Sequence, residues 1–263
     1  MKQNTKRVLY LVAALLLVGV VVVSNATRSN RRVRAVRVEV AYGGADTLVT
    51  ASTLVEQTLA QMPTLQGMRI KEVSTEQVRA VVSRNPYVSD VRVETSVGGD
   101  VEVRVVQRRP IVQLFCHGAE FYMDDQGRYL PMSAEGYANV LVANGHFRGE
   151  LPDASDSITM AVLDTLCPDV AQMWHLASYL YHHPEYGVLF DQAYRMADGD
   201  YCLVPKVGNH VVVLGQVENL DKKLYDLLVF YREGMNKVGW ETYSQISLKY
   251  ENQVVCTRRT AER

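Results

Sequence analysis

Between Ser74 and Pro110 the spacing of apolar positions changes period twice. Val78, Val81 and Val82 fall on one face of a 3.6-residue period, with Arg79 and Arg84 off it, which predicts a helix. Ser74 with Gln77 three residues on forms a capping box at its start. Asn85-Pro86 ends it, because the residue before proline is pushed out of the α region. Val91 and Val93 then alternate with Arg92 and Glu94, and Val101, Val103 and Val105 alternate with Glu102 and Arg104. These are two half-buried strands. Gly98-Gly99 between them supplies the positive-φ positions of a tight hairpin turn.

Upstream, Val36, Val38 and Val40 alternate with Arg37 and Glu39 and predict an entering strand. Leu54, Val55, Thr58 and Leu59 lie at helical spacing within Ala51 to Gln61, with Pro63 as the stop. The order over 36–109 is therefore β, α, α, β, β: a three-stranded sheet with two helices on one face, the other face and the edges left open.

From Pro110 the alternation continues. Ile111 to Phe115 is a strand, and Glu120 to Met123 with Gly127 to Leu130 is a hairpin closed around Asp124-Asp125-Gln126-Gly127. Asn139 to Val142 is a short strand, and Ser155 to Cys167 reads as helix. Pro168 opens a firmer helix to His182. Strands follow over Gly187 to Met196, Asp200 to Val204 and His210 to Leu214. Asn219 caps a helix carrying Leu220, Leu224, Leu227, Leu228 and Tyr231 along one face, with Gly234 and Gly239 at its exit. Thr242 to Tyr250 and Val254 to Thr257 close the chain. The expected class is α+β: the βααββ unit, then, over 110–258, a mostly antiparallel β domain with flanking helices.

The N-terminus adds a membrane argument. Val8 to Val23 is an unbroken apolar run, just short of the roughly 20 residues that cross a bilayer, and the uncharged Ser24 to Thr27 can complete it. Lys2, Lys6 and Arg7 before the run keep the tail cytoplasmic, although Arg28, Arg31, Arg32 and Arg34 after it weaken that bias. Ser24-Asn25-Ala26 has the small residues of a signal-peptidase site, but the run is longer than a usual signal h-region, which favours an uncleaved anchor. Residues 1–28 are then tail and single transmembrane helix, 29–35 a basic linker, 259–263 a tail, and the rest is exported.

Composition changes this picture little. Over 263 residues the net charge is −1, without the basic excess of a general nucleic-acid binder. No phosphate-cradling loop, GxSxG, HExxH or CxxC is present. His175, His182 and His183 share a helix, but surface histidines are the simpler reading than a metal site. Asp124-Asp125 needs no explanation beyond a turn. The 4 cysteines, Cys116, Cys167, Cys202 and Cys256, allow three disulfide pairings; free and mostly buried thiols are the preferred reading. No cofactor, metal site or small-molecule substrate is expected.

Asn85-Pro86-Tyr87-Val88, the hairpin, and Gln107-Arg108-Arg109-Pro110 resemble the second half of a POTRA domain, a βααββ unit of bacterial envelope proteins that binds other polypeptides. After it come Arg109-Pro110-Ile111-Val112, the Asp125-Gln126-Gly127 turn, a long helix and Ile246-Ser247-Leu248-Lys249-Tyr250, in that order. This ordered set resembles the bacterial cell-division family FtsQ, called DivIB in Gram-positive bacteria. Val204 to Gly208 and Tyr250 to Thr257 look like its Bacteroidetes version. His146 to Met173 has no counterpart in the family's general pattern, and the long tail expected after the last strand is missing.

The resemblance implies a non-enzymatic scaffold of the division machinery. It would be a single-pass inner-membrane protein whose periplasmic part binds FtsB- and FtsL-like proteins and other divisome components during septum formation. Val254 to Thr257 is the last strand and almost nothing follows to cover it, so its edge can template another chain. In the family this edge and the nearby helix receive FtsB, and Tyr250 falls at a matching position. The expected docking edge is Tyr250, Gln253, Val254, Val255, Cys256 and Thr257, flanked by the helix Leu220 to Met235. The alternative is that these residues merely close the sheet. A competing function, assistance to outer-membrane protein assembly or secretion, would need barrel-length alternating segments after Thr257.

Overall fold

The computed structural model describes residues 16–18, 31–44, 46–96, 98–151 and 160–260. The chain divides into two compact units, Met1–Arg108 and Arg109–Arg263. No described helix is long and apolar enough to cross a membrane. The expected anchor lies outside the described residues except for Leu16 to Val18, which are helical.

In the first unit β1 (Val36–Ala41), α1 (Ala51–Gln61), α2 (Thr75–Val82), β2 (Val88–Thr95) and β3 (Val101–Gln107) follow the expected order. The sheet runs β1-β3-β2, with β1 parallel and β2 antiparallel to β3. Both helices are capped by hydroxyls: Thr50 Oγ1 accepts from Thr53 N at 3.3 Å, and Ser74 Oγ from Gln77 N at 3.2 Å. Leu54, Val78 and Val82 meet Val91, Val101, Val103 and Val105 in one core. Buried Gln107 ties the loop before α1 to β3, its Oε1 accepting from Leu48 N at 2.8 Å and Val49 N at 3.2 Å. The hairpin differs from expectation. Of the two glycines only Gly99 has positive φ (95°), and Ser96 N donates to Asp100 O and Gly99 N to Ser96 O.

The second unit is one nine-stranded sheet in the order β12-β11-β10-β9-β8-β7-β4-β5-β6. Its strands are β4 (Pro110–Cys116), β5 (Ala119–Asp124), β6 (Tyr129–Pro131), β7 (Leu141–Gly145), β8 (Phe190–Arg195), β9 (Tyr201–Pro205), β10 (Val211–Gly215), β11 (Tyr243–Ser247) and β12 (Val255–Arg258). The sheet is more mixed than alternation suggested: β10–β11, β7–β8 and β4–β7 pair in parallel. For the first two pairs the reason is connectivity. Helices α3 (Met160–Leu166) and α4 (Pro168–His182) lie between β7 and β8, and α5 (Leu220–Phe230) between β10 and β11. A helical crossover between neighbouring strands makes them parallel. Two local expectations also change. Pro184–Gly187 is a helical turn, so β8 starts only at Phe190. Asn219 begins α5 in the left-handed region (φ 53°) and makes no side-chain cap.

One register row crosses this sheet. Phe121, Leu114, Ala143, Ala193, Leu203, Val212, Ile246 and Cys256 are successive cross-strand partners from β5 to β12. Partners directly opposite share a face, so the row is a continuous apolar stripe. Every member is buried except Cys256, which is half-buried at the sheet's edge. Val170, Ala171, Met173, Leu176, Ala177 and Leu180 of α4, with Leu220, Leu224 and Leu227 of α5, join the same core. Each such large side chain contributes about 1.5–3 kcal/mol on burial.

The crossover after β7 is held by charge. Asp169, in the first turn of α4, is buried, and its carboxylate accepts from Arg148 N at 2.8 Å and from the Arg148 guanidinium. Buried Arg195 of β8 places Nε 3.3 Å from Asp169 Oδ1 and donates through a terminal nitrogen to His146 O at 2.6 Å. Gly145, with φ of 121°, lets this strand end press on Arg195, whose carbonyl would lie 2.3 Å from any Cβ. Burial works to raise the Asp169 pKa, but the bonds from Arg148 and the charges of Arg195 and Arg148 hold it below the usual carboxylate range.

Asp169→Asn leaves Arg195 buried beside a neutral partner and is expected to destabilise this unit by about 3–5 kcal/mol. The 2 tryptophans of the chain, Trp174 and Trp240, lie in the second unit, so urea unfolding followed by their fluorescence reports it alone. Because the folded pKa is depressed, the carboxylate's contribution is present above its unfolded value and lost as pH falls through the folded one. An unfolding midpoint unchanged by Asp169→Asn would contradict this role.

Candidate functional site

The two edges of the nine-stranded sheet differ. β6 is three residues long and ends on Pro131, which suits it poorly to pair further. β12 contains no proline, and Val255, Thr257 and Arg258 are exposed. Its backbone direction can be worked out. Arg259 N donates to Thr242 O at 3.0 Å, and Ser244 Oγ to Thr257 O at 3.3 Å, so Thr257 and Arg259 face β11. Backbone groups alternate along a strand. Val255 therefore also faces β11, whereas the N–H and C=O of Cys256 and Arg258 point away from the sheet.

Beside this edge runs a groove of about 530 Å³. Val229, Phe230 and Val254 form its apolar lining; Lys222, Asp226, Glu233, Asn252 and Gln253 supply polar groups, and Gly234 completes the helical wall. After Phe230 the helix widens into a π turn, Tyr231–Met235, a feature frequent at functional sites. Gly234 matters here, because a Cβ on it would lie 2.9 Å from the Phe230 ring. On the other side, Asn252 (φ 57°) turns the chain and Gln253 N donates to Tyr250 O at 3.4 Å. The fold thus brings Gln253 and Val254 against the helix, with Val255, Cys256 and Thr257 on the adjoining strand. Tyr250 is exposed in the same turn and does not line the groove.

The helical wall is fixed from below by His210, just before β10. Its Nε2 is hydrogen-bonded to Tyr231 Oη at 2.7 Å, and the Trp240 ring packs 5.0 Å from the Tyr231 ring, tilted by 52°. The His210 Nδ1 is buried without a partner among the described residues. Burial lowers the His210 pKa first of all; Glu241 raises it and Arg259 lowers it. Burial thus favours the neutral form of the ring.

The other candidates stay apart. His175 and His182 are exposed, His182 Nδ1 lies 2.7 Å from Ser178 O, and His183 Nδ1 lies 2.9 Å from Tyr179 O. Asp124 acts as a turn residue, its Oδ1 accepting from Gln126 N at 2.9 Å and Arg128 N at 2.7 Å, while its carbonyl accepts from Trp174 Nε1. The groups that do converge are Cys116, His117 and Cys167, whose ligand atoms lie within 4.8 Å of one another. Nothing local in the sequence signals this meeting, since it joins a strand end to a helix cap.

A neutral buried histidine predicts a pH effect. The unfolded chain takes up a proton below about 6.5 and the folded one only lower, so stability is full above that pH and falls as pH drops beneath it. Urea midpoints by tryptophan fluorescence should fall between pH 7.5 and 5.5, and His210→Phe should flatten that slope. An equal slope in the variant would place the titration elsewhere.

The family described as FtsQ/DivIB, C-terminal related, matches residues 109–257. No curated protein matches the chain. The match spans the nine-stranded unit from β4 through Thr257 and covers more than half of the chain. That family is one of non-enzymatic division scaffolds, which supports a role in cell division. The chain is a member of the FtsQ/DivIB-related family.

Proposed function

We propose that this protein is a membrane-anchored, non-enzymatic scaffold of the bacterial division machinery. Its exported part binds FtsB- and FtsL-like proteins by strand addition at β12 and links early and late divisome components during septum formation. The observation that carries this reading is the outward-facing backbone of Cys256 and Arg258 at the end of the apolar row, next to the Phe230 groove. A partner strand would satisfy those groups, extend the row past Cys256 and place side chains against Val229, Phe230 and Val254. The docking set is Tyr250, Gln253, Val254, Val255, Cys256 and Thr257, with Arg258 added on the strength of its backbone direction. The βααββ unit acts as a POTRA-like module with open edges β1 and β2.

The apolar run Val8 to Val23 supports an uncleaved anchor, with a cytoplasmic N-terminus and periplasmic domains. Intact mass of the mature chain should include Met1 to Ala26; a mature chain starting at Thr27 would contradict the anchor.

The docking test is proline replacement. Arg258→Pro and Cys256→Pro each remove an outward donor and should leave the β11 pairing in place. Both should weaken pull-down of the FtsB-like partner at least about tenfold, a change of ~1.4 kcal/mol. Proline at Val255 or Thr257 would instead remove a bond to β11 and confound the result. Full binding by both variants, with fluorescence melts matching wild type, would move the docking edge elsewhere.

A further inference from the structure

Cys116 ends β4 and Cys167 caps α4, and both side chains are buried. Their sulfurs lie within 4.8 Å of each other, on elements that share the core of the second unit. Cys167 Sγ also donates to Arg148 O at 3.2 Å, which fixes it beside the crossover held by Asp169. We propose that Cys116 and Cys167 are a disulfide-forming pair, closed by exchange with an external disulfide while the chain folds.

Either cysteine, as its thiolate, displaces one thiol from the external disulfide and forms a mixed disulfide. The other, once deprotonated, attacks the first sulfur and releases the second thiol. Two protein thiols are oxidised, one external disulfide is reduced to two thiols, and the two protons end on those thiols. Burial of both sulfurs requires the exchange to occur before folding is complete.

Two observations favour a cross-link over a metal site. The cluster offers three ligands where structural zinc takes four, and its imidazole is exposed at the hairpin tip, with His117 φ at 51°. Asp169, the carboxylate whose charge acts on both thiols, is already engaged by Arg148 and Arg195. The bond would close a loop containing β5, β6, β7 and α3, restricting the unfolded chain over that span. Cys202 lies in β9, where burial raises its pKa to about 11, and it serves as the internal control.

The test uses the full chain in detergent, reduced, unfolded in urea and refolded in a reduced/oxidised glutathione buffer. Free thiols are then trapped with maleimide and peptides mapped without reduction. The expected result is a Cys116–Cys167 linked peptide, with Cys202 and Cys256 alkylated. Reductant should then lower the melting temperature of the second unit by about 5–10 °C. Cys116→Ser/Cys167→Ser should lose that shift and Cys202→Ser should keep it. Maleimide on both Cys116 and Cys167, or pairing of either with another cysteine, would overturn the proposal. So would one zinc per reduced chain that shields both thiols until chelation. The mapping reads the wild-type chain, so it decides even if a serine variant does not fold, and it is independent of where the protein resides or what it binds.

Discussion

The second unit is built on one constraint: an apolar residue must occupy the same register position on each strand from β5 to β12. Shifting any strand by one residue would turn its member of the row to the opposite face. Ala143 and Ala193 sit at the middle of the row, and Ala171 and Ala177 of α4 belong to the same core. At β12 the row reaches Cys256 and has no further neighbour among the described residues. The arrangement that forms the core therefore also prepares the surface proposed for a partner.

Charge fixes what the row leaves loose. The chain leaves β7 through Gly145 and must return to β8 by way of two helices. Asp169, Arg148 and Arg195 hold the start of that crossover against the end of β8. A buried carboxylate and guanidinium are costly unless paired, so the network specifies one arrangement of the segment. His210 has a related role near the other end, where a neutral ring between β10 and Tyr231 sets the wall of the groove.

Much of this was legible in the sequence because its causes are local. Alternation gave β1, β2 and β3, apolar runs gave β4 and β5, helical spacing with a Pro63 stop gave α1, the Ser74 capping box gave α2, and Pro168 gave α4. Nothing local in the sequence marks Asp169 and Arg195, because their pairing joins β8 to a segment remote in sequence. The parallel placement of β7 was equally hidden: its pairing with β4 covers only Leu141, Val142 and Ala143. The edge residues were named from the chain's last strand alone. The direction of each N–H, and the groove beside Val254, needed the backbone of β11 and the π turn after Phe230.

The central claim is that a partner strand completes the sheet at β12, and amide hydrogen exchange reads it most directly. On adding the FtsB-like partner, the amides of Cys256 and Arg258 should slow by an order of magnitude or more. Those of Val255 and Thr257, already facing β11, should change little. Unchanged exchange at Cys256 and Arg258 in a saturated complex would contradict strand addition at this edge.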